Sequence, residues 1–167
     1  MAAFSDLSAE LAADLGAALK QRGFILTLAE SCTGGMVAQT ITSIAGSSAW
    51  FDRGFVTYSN AAKIEMLGVS AKTLETFGAV SEETASEMAL GAIKHSHSQI
   101  AGSITGIAGP DGGSAEKLVG TVCFGFAQAG KCITNTQYFT GNREKIRQLA
   151  AAFLMQQLIQ RLELQNY

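Results

Sequence analysis

Ser31, Cys32 and Thr33 stand together in the run Ala29-Glu30-Ser31-Cys32-Thr33-Gly34-Gly35, after a short apolar stretch at residues 24–28 and before a helical pattern. A hydroxyl or thiol at such a strand-to-helix corner meets the free N–H groups and the positive dipole end of the helix. That setting favours a phosphate, a carboxylate or a developing oxyanion. Gly34 and Gly35 have no side chain to hold a ligand off the backbone, and they tolerate positive φ. The same pattern fits a plain serine or threonine N-cap with a glycine turn. Cys32 is a rival nucleophile, because a helix N-terminus can depress a thiol pKa, and a buried packing cysteine is its plain alternative.

A nucleophilic serine needs a base. The two histidines both lie in His95-Ser96-His97-Ser98, which reads as a solvated helix end, and no carboxylate or cysteine spacing joins them into a metal site. Lys63 is the alternative. Near a helix N-terminus it feels like-signed partial charge, and partial burial also favours a neutral amine that can take a proton from serine. Tyr58 could bridge the hydroxyl and the amine, or donate to a leaving group. The plain alternatives are a surface lysine and a packed strand tyrosine. Arg143, at a predicted helix start, fits either a bidentate phosphate clamp or a solvated arginine. The run Gly106-Ile107-Ala108-Gly109-Pro110-Asp111-Gly112-Gly113 is the most glycine-dense loop, and amides in such turns can cradle an anion. Neither GxxxxGK[ST] nor GxGxxG occurs, and no cofactor and no metal are expected.

The elements that must position these groups alternate. A first helix, capped by Ser5 or Ser8, carries Leu7, Leu11, Leu15, Ala18 and Leu19 at helical spacing and ends at Gly23. A strand at 24–28, a helix at 34–44 and a strand at 51–58 follow. Asn60 is the predicted N-cap of a two-turn helix ending at Gly68, and it places Lys63 in the first turn. A short helix at 70–77 precedes a longer one starting at Ser81, whose Ala85, Met88, Ala89, Ala92 and Ile93 form a buried stripe. A central strand is expected at 100–105. Strands at 119–127 and 132–140 make a hairpin, and a last helix follows Arg143. This order predicts a three-layer α/β/α sandwich with a mixed β-sheet. The Ser31 corner, the 58–63 segment and the 106–113 loop all fall at carboxyl ends of strands, where such folds bind ligands.

The 167 residues fit a single domain spanning 1–167. With 12 Lys and Arg against 14 Asp and Glu, the chain lacks a basic nucleic-acid footprint. Three widely spaced cysteines without a CxxC pair suggest a reducing cytoplasm, and no apolar run approaches a membrane span or a leader. Trp50, Phe51 and Phe55 read as core in preference to a dimer face.

Several motifs in order carry a likeness to a known family: the 29–35 run, Ile44-Ala45-Gly46-Ser47-Ser48, Gly54-Phe55-Val56-Thr57-Tyr58-Ser59-Asn60, Lys63, Gly78-Ala79-Val80-Ser81, and Thr105 through Gly113. Together they resemble the C-terminal domain of the competence/damage-inducible protein CinA, over nearly the whole chain. The resemblance implies hydrolysis of the carboxamide of nicotinamide mononucleotide to nicotinate mononucleotide and ammonia, in bacterial pyridine-nucleotide salvage. It implies Ser31 as nucleophile, Lys63 as general base and Tyr58 as its hydrogen-bonding partner. Substrate would be bound by Cys32, Thr33, Gly34 and Gly35 and by Thr105, Gly106, Ile107, Ala108 and Gly109, with Arg143 on the phosphate. A homo-oligomer is also implied. Two positions depart from the family pattern: Leu118 replaces a proline before Val-Gly-Thr, and Asn142 replaces an aspartate before Arg143. The alternative class is a catalytically silent nucleotide-binding or oligomerisation module of the same family.

Overall fold

The computed structural model describes residues 2–164, with side chains from residue 6 onward. Its elements in chain order are α1 (Ala2–Arg22), β1 (Leu26–Glu30), α2 (Met36–Thr42), β2 (Phe51–Val56), α3 (Asn60–Leu67), α4 (Ala71–Phe77), α5 (Glu82–Lys94), β3 (Ile100–Gly106), β4 (Thr121–Gln128), β5 (Lys131–Tyr138) and α6 (Arg143–Leu164). The strands form one sheet in the order β2-β1-β3-β4-β5. β1 runs parallel to β2 and β3, whereas β4 is antiparallel to both β3 and β5. The sheet is therefore mixed, and helices cover both faces, as the alternating pattern predicts.

Period-two alternation sorts the side chains between the layers. Leu26, Leu28, Ile100, Ile104, Val122, Phe124 and Phe126 share the larger core with Leu15, Val37, Ile41, Ile146 and Leu154 of α1, α2 and α6. The opposite face is built from small residues: Ala29, Ala101 and Ala127 meet Met88, Ala89 and Ala92 of α5, with Leu67 from the end of α3. Trp50 is buried and its indole lies against Gly16 of α1, while Phe51 and Phe55 pack on the two cores, as expected of core residues.

Several boundaries differ from the sequence expectation. α1 begins at Ala2, ahead of both Ser5 and Ser8, and Ser8 is buried within it. The first strand lies two residues later than expected, because Gly23 (φ 66°) and Phe24 close α1: Phe24 N–H bonds to the Leu19 carbonyl and Gly23 N–H to that of Lys20. β1 thus extends to Glu30. α2 starts later than expected, at Met36. β2 stops at Val56, which frees Thr57 and Tyr58 from the sheet. Ser59, in place of Asn60, caps α3 by accepting a hydrogen bond from Ala62 N–H at 3.0 Å. The hairpin starts at Thr121, since Gly120 N–H still bonds to the Ile107 carbonyl in the preceding loop. Among the described residues, no helix is long and apolar enough to cross a membrane.

Candidate active site

The chain leaves β1 toward the α1/α2/α6 face and leaves β2 toward the α3/α5 face. Such a divergence opens a crevice at the carboxyl ends of the two strands. Ser31 enters this crevice from the end of β1, and Lys63, on α3, enters it from beyond β2. Gly34 (φ 59°) and Gly35 (φ 98°) make the sharp bend that ends the corner and starts α2, a conformation that L side chains rarely adopt.

Lys63 Nζ lies 3.0 Å from Ser31 Oγ, 3.0 Å from the Thr57 carbonyl and 3.3 Å from the Tyr58 carbonyl. The lysine is only 1% exposed, and this burial lowers its pKa below the ordinary lysine value. A neutral amine has two N–H groups and one lone pair. If the Thr57 and Tyr58 carbonyls take the two N–H groups, the lone pair faces the serine hydroxyl, which can then donate to Nζ. The geometry therefore suits proton transfer from Ser31 to Lys63.

Cys32 is also buried, but there burial opposes nucleophilic character. Its thiol is pushed up to about 12, chiefly by desolvation, with its own backbone N–H the largest opposing influence. Of the two readings of Cys32, this favours the buried packing cysteine over the rival nucleophile, because removal from water is the largest influence on the thiol. Backbone amides tell more. Ser31 N–H bonds to the Ile104 carbonyl, Gly34 N–H to the Ser31 carbonyl, and Met36 N–H to the Thr33 carbonyl. Glu30 takes the amides of Gly35, Val37 and Ala38. The amides of Cys32 and Thr33 have no acceptor on another described residue.

A cavity of about 170 Å³ opens at the Ser31–Lys63 pair, walled by Cys32, Tyr58, Thr105, Gly106, Ala108 and Arg143 from the expected set and by Ala79 and Val80 in addition. Thr33, Gly34, Gly35, Ile107 and Gly109 stand outside this wall. Thr33 is committed elsewhere, its hydroxyl donating to Glu30 at 2.7 Å, and the Thr105 hydroxyl donates to the Ala79 carbonyl at 2.7 Å. Tyr58 departs from its expected role. Its side chain is 62% exposed, its hydroxyl accepts from Arg143 Nη2 at 3.1 Å, and it meets Lys63 only through its main-chain carbonyl. The reason is position: beyond the end of β2, the phenol swings to the rim and the start of α6. Arg143 also donates to the Gly109 carbonyl at 2.8 Å, so it ties the 106–113 loop to the rim.

A sequence model described as the CinA C-terminal domain matches residues 8–162. The chain belongs to the CinA C-terminal domain family. It is 62% identical, over 148 residues, to a nicotinamide-nucleotide amidohydrolase PncC of Enterobacter agglomerans, covering 88% of this chain and 90% of the relative. The protein of the same name from Escherichia coli K12 is 57% identical over 158 residues, covering 94% and 95%. Among solved structures, the competence/damage inducible protein CihA from Agrobacterium tumefaciens superposes with a TM-score of 0.89 at 45% identity, covering 94% of this chain and 96% of that one.

Within this CinA-type site, two charged residues escaped the sequence reading. Glu30 is buried and grips the start of α2 with both carboxylate oxygens. Arg147 donates from Nε to the Cys32 carbonyl at 3.0 Å and from Nη2 to the Thr33 carbonyl at 3.1 Å. Its signal was the spacing: Arg147 lies four residues after Arg143, on the same side of α6. Of the two family departures, Asn142 still accepts from Lys145 N–H at 2.9 Å, a cap that asparagine fills as well as aspartate. Leu118 is exposed, and its carbonyl accepts from both the amide and the hydroxyl of Thr121.

Proposed function

We propose that the protein hydrolyses the carboxamide of nicotinamide mononucleotide to nicotinate mononucleotide and ammonia, with Ser31 as nucleophile and Lys63 as base. The observation that carries the mechanism is the 3.0 Å approach of a buried, deprotonation-prone lysine to the serine hydroxyl. The substrate is inferred from relatives above half identity that are named for this reaction.

Neutral Lys63 takes the Ser31 proton as Oγ attacks the carboxamide carbon. The carbonyl oxygen becomes an oxyanion at the Ser31 corner, where losing one backbone donor typically costs about 3 kcal/mol of barrier. Lys63 returns the proton to the departing nitrogen, which leaves as ammonia. Water then attacks the acyl-serine, gives its proton to Lys63, and the product acid leaves as Ser31 recovers its own. At about 170 Å³ the cavity is smaller than typical whole-ligand pockets of about 300–1,000 Å³. It therefore takes the carboxamide-bearing ring, while ribose and phosphate lie at the rim. There Arg143 retains N–H groups beyond the two it uses, for a phosphate oxygen. Tyr58 serves as a rim residue whose phenol orients Arg143 and whose carbonyl orients Lys63. The setting is the cytoplasm, where the three free cysteines persist as thiols, and the family resemblance implies a homo-oligomer as the working form.

Ammonia release from nicotinamide mononucleotide tests this reading. Wild-type protein is expected to turn over, and Ser31→Ala and Lys63→Ala to lose release while keeping the circular dichroism of the wild type. Full activity in either variant sinks the Ser–Lys mechanism. Binding without release by the wild type favours a silent nucleotide-binding module.

A further inference from the structure

We propose that the chain carries a second ligand site, at the end of the sheet away from Ser31, which takes a small monocarboxylic acid with an apolar body. A cavity of about 260 Å³ opens there beside the β4–β5 turn, and its walls include Ile100, Phe126, Ala127, Lys131, Ile133 and Arg161. Ile100 is the first residue of β3, whereas Thr105 of the same strand walls the Ser31–Lys63 cavity. The rise of the strand between them, about 17 Å, keeps the two cavities apart. Topology leaves this corner open. Thr134 and Thr136 of β5 donate to Glu82 on α5, so Lys131 and Ile133, of opposite parity, face the α6 side. Ile133 pairs with Phe126 across the hairpin, yet it is 58% exposed where Phe126 is 4% exposed. The cover that α6 gives β4 thus gives out over β5.

Arg161 sets the charge of the ligand. Its guanidinium carbon lies 4.3 Å from the centre of the Phe126 ring, and its Nε is buried without a hydrogen-bond partner. Among the described residues, the salt bridge is that of Arg53 with Asp52, and no carboxylate pairs with Arg161. The ring face attracts the cation, but it leaves the N–H groups in the guanidinium plane without acceptors. Burial also works against the charge and draws the Arg161 pKa down. A carboxylate answers both needs, because its two oxygens match the fork of Nε and a neighbouring Nη. Ile100, Phe126, Ala127 and Ile133 favour an apolar body over a sugar or a phosphate, whose further oxygens would lose water without finding donors. The volume is just below the range of about 300–1,000 Å³ for typical ligand pockets, which suits one ring or a short chain. Lys131, exposed at the mouth, adds positive charge on the path of approach.

The test is an NMR titration of the isotope-labelled full chain with benzoate, read at the backbone amides and at the arginine Nε–H signals, with no turnover needed. Benzamide, of the same shape without the charge, and inorganic phosphate, with charge but no apolar body, are the controls. Benzoate is expected to give saturable shifts at the Arg161 Nε–H and at the amides of residues 126–133, with the millimolar affinity usual for so small a probe. Both controls should leave these signals in place. Arg161→Met, which keeps an unbranched apolar stem, is expected to weaken benzoate at least about tenfold, the scale of a charge-assisted pair. If that variant does not fold, Ile133→Glu decides: it sets a carboxylate at the exposed mouth and should abolish the shifts. Undiminished benzoate binding in the variant, equal binding of benzamide, or shifts confined to the Ser31–Lys63 cavity overturns the proposal. So does movement of the 126–133 amides with protein concentration in place of benzoate, which assigns the face to a second copy of the chain.

Discussion

Burial makes Lys63 useful and also gives it a pH signature. Its folded pKa lies below the ordinary lysine value because the ammonium loses hydration. The deprotonated base therefore accumulates at lower pH than in a free lysine, and log kcat/KM is expected to rise with pH and level off at an inflection below about 10.4. An inflection at or above that value contradicts the assignment. The stability sign follows from the same shift. Between the folded pKa and about 10.4 the unfolded chain binds more protons, so folding stability rises with pH across that window, and below it the cost of the buried charge is constant. Wild type should gain stability relative to Lys63→Met as urea unfolding is moved from pH 7 to pH 10. Cys32 gives the opposite expectation. A thiol pushed up to about 12 is not a nucleophile near neutrality, so Cys32→Ala should keep most ammonia release and intact protein should alkylate slowly at this position. Ser31 and Lys63 could be nominated from the sequence by residue type and corner placement, and the structure brings their side chains to 3.0 Å of each other. Tyr58 was not, since whether a phenol turns inward or to the rim depends on where β2 ends.

At the scale of elements, the corner works because β1 and α2 are joined by one carboxylate. Glu30 shares the α2-facing side of β1 with Leu26 and Leu28, so strand parity alone aims it at the helix start. The sequence reading ended the strand at residue 28 and left Glu30 in a loop, which hid its role; the missing fact was that Phe24 belongs to the helix cap of α1. Inside, its two oxygens accept from the Thr33 hydroxyl and from three backbone amides. Glu30→Gln replaces one acceptor oxygen with an NH2 that confronts an N–H donor. The expected loss is about 2–3 kcal/mol, the scale of a charge-assisted buried bond. In urea unfolding the midpoint should fall with the m-value unchanged. A midpoint equal to wild type would mean that the start of α2 is held by the turn alone.

For the whole molecule, the proposed catalysis depends on two helical layers holding the serine and the lysine at one end of the sheet. The alternation of helices and strands was enough to read the three layers, and the shared carboxyl ends of three strands were enough to read one site. The contacts that fix neighbouring elements within each layer were not legible, because they join residues distant in sequence with no local pattern: Arg147 with Cys32, and Gly91 with Leu67. The second pair sets the position of Lys63. Gly91 lies in α5 where α3 crosses it, and a Cβ added there would collide with the main-chain carbonyl of Leu67, the last residue of α3. Backbone cannot rotate away as a side chain can, so Gly91→Ala must displace the end of α3, four residues beyond Lys63. Overpacking of this kind costs about 1–3 kcal/mol, which lowers Tm by roughly 2–12 °C in a chain of this size. The displacement also lengthens the Lys63–Ser31 approach, now 3.0 Å. Because a shift of about 1 Å can cost about 100-fold in rate, kcat should fall by more than the small loss of folded protein explains. Calorimetry paired with ammonia release checks both parts. A Gly91→Ala protein with wild-type Tm and wild-type kcat would show that α3 is positioned by something other than its crossing with α5.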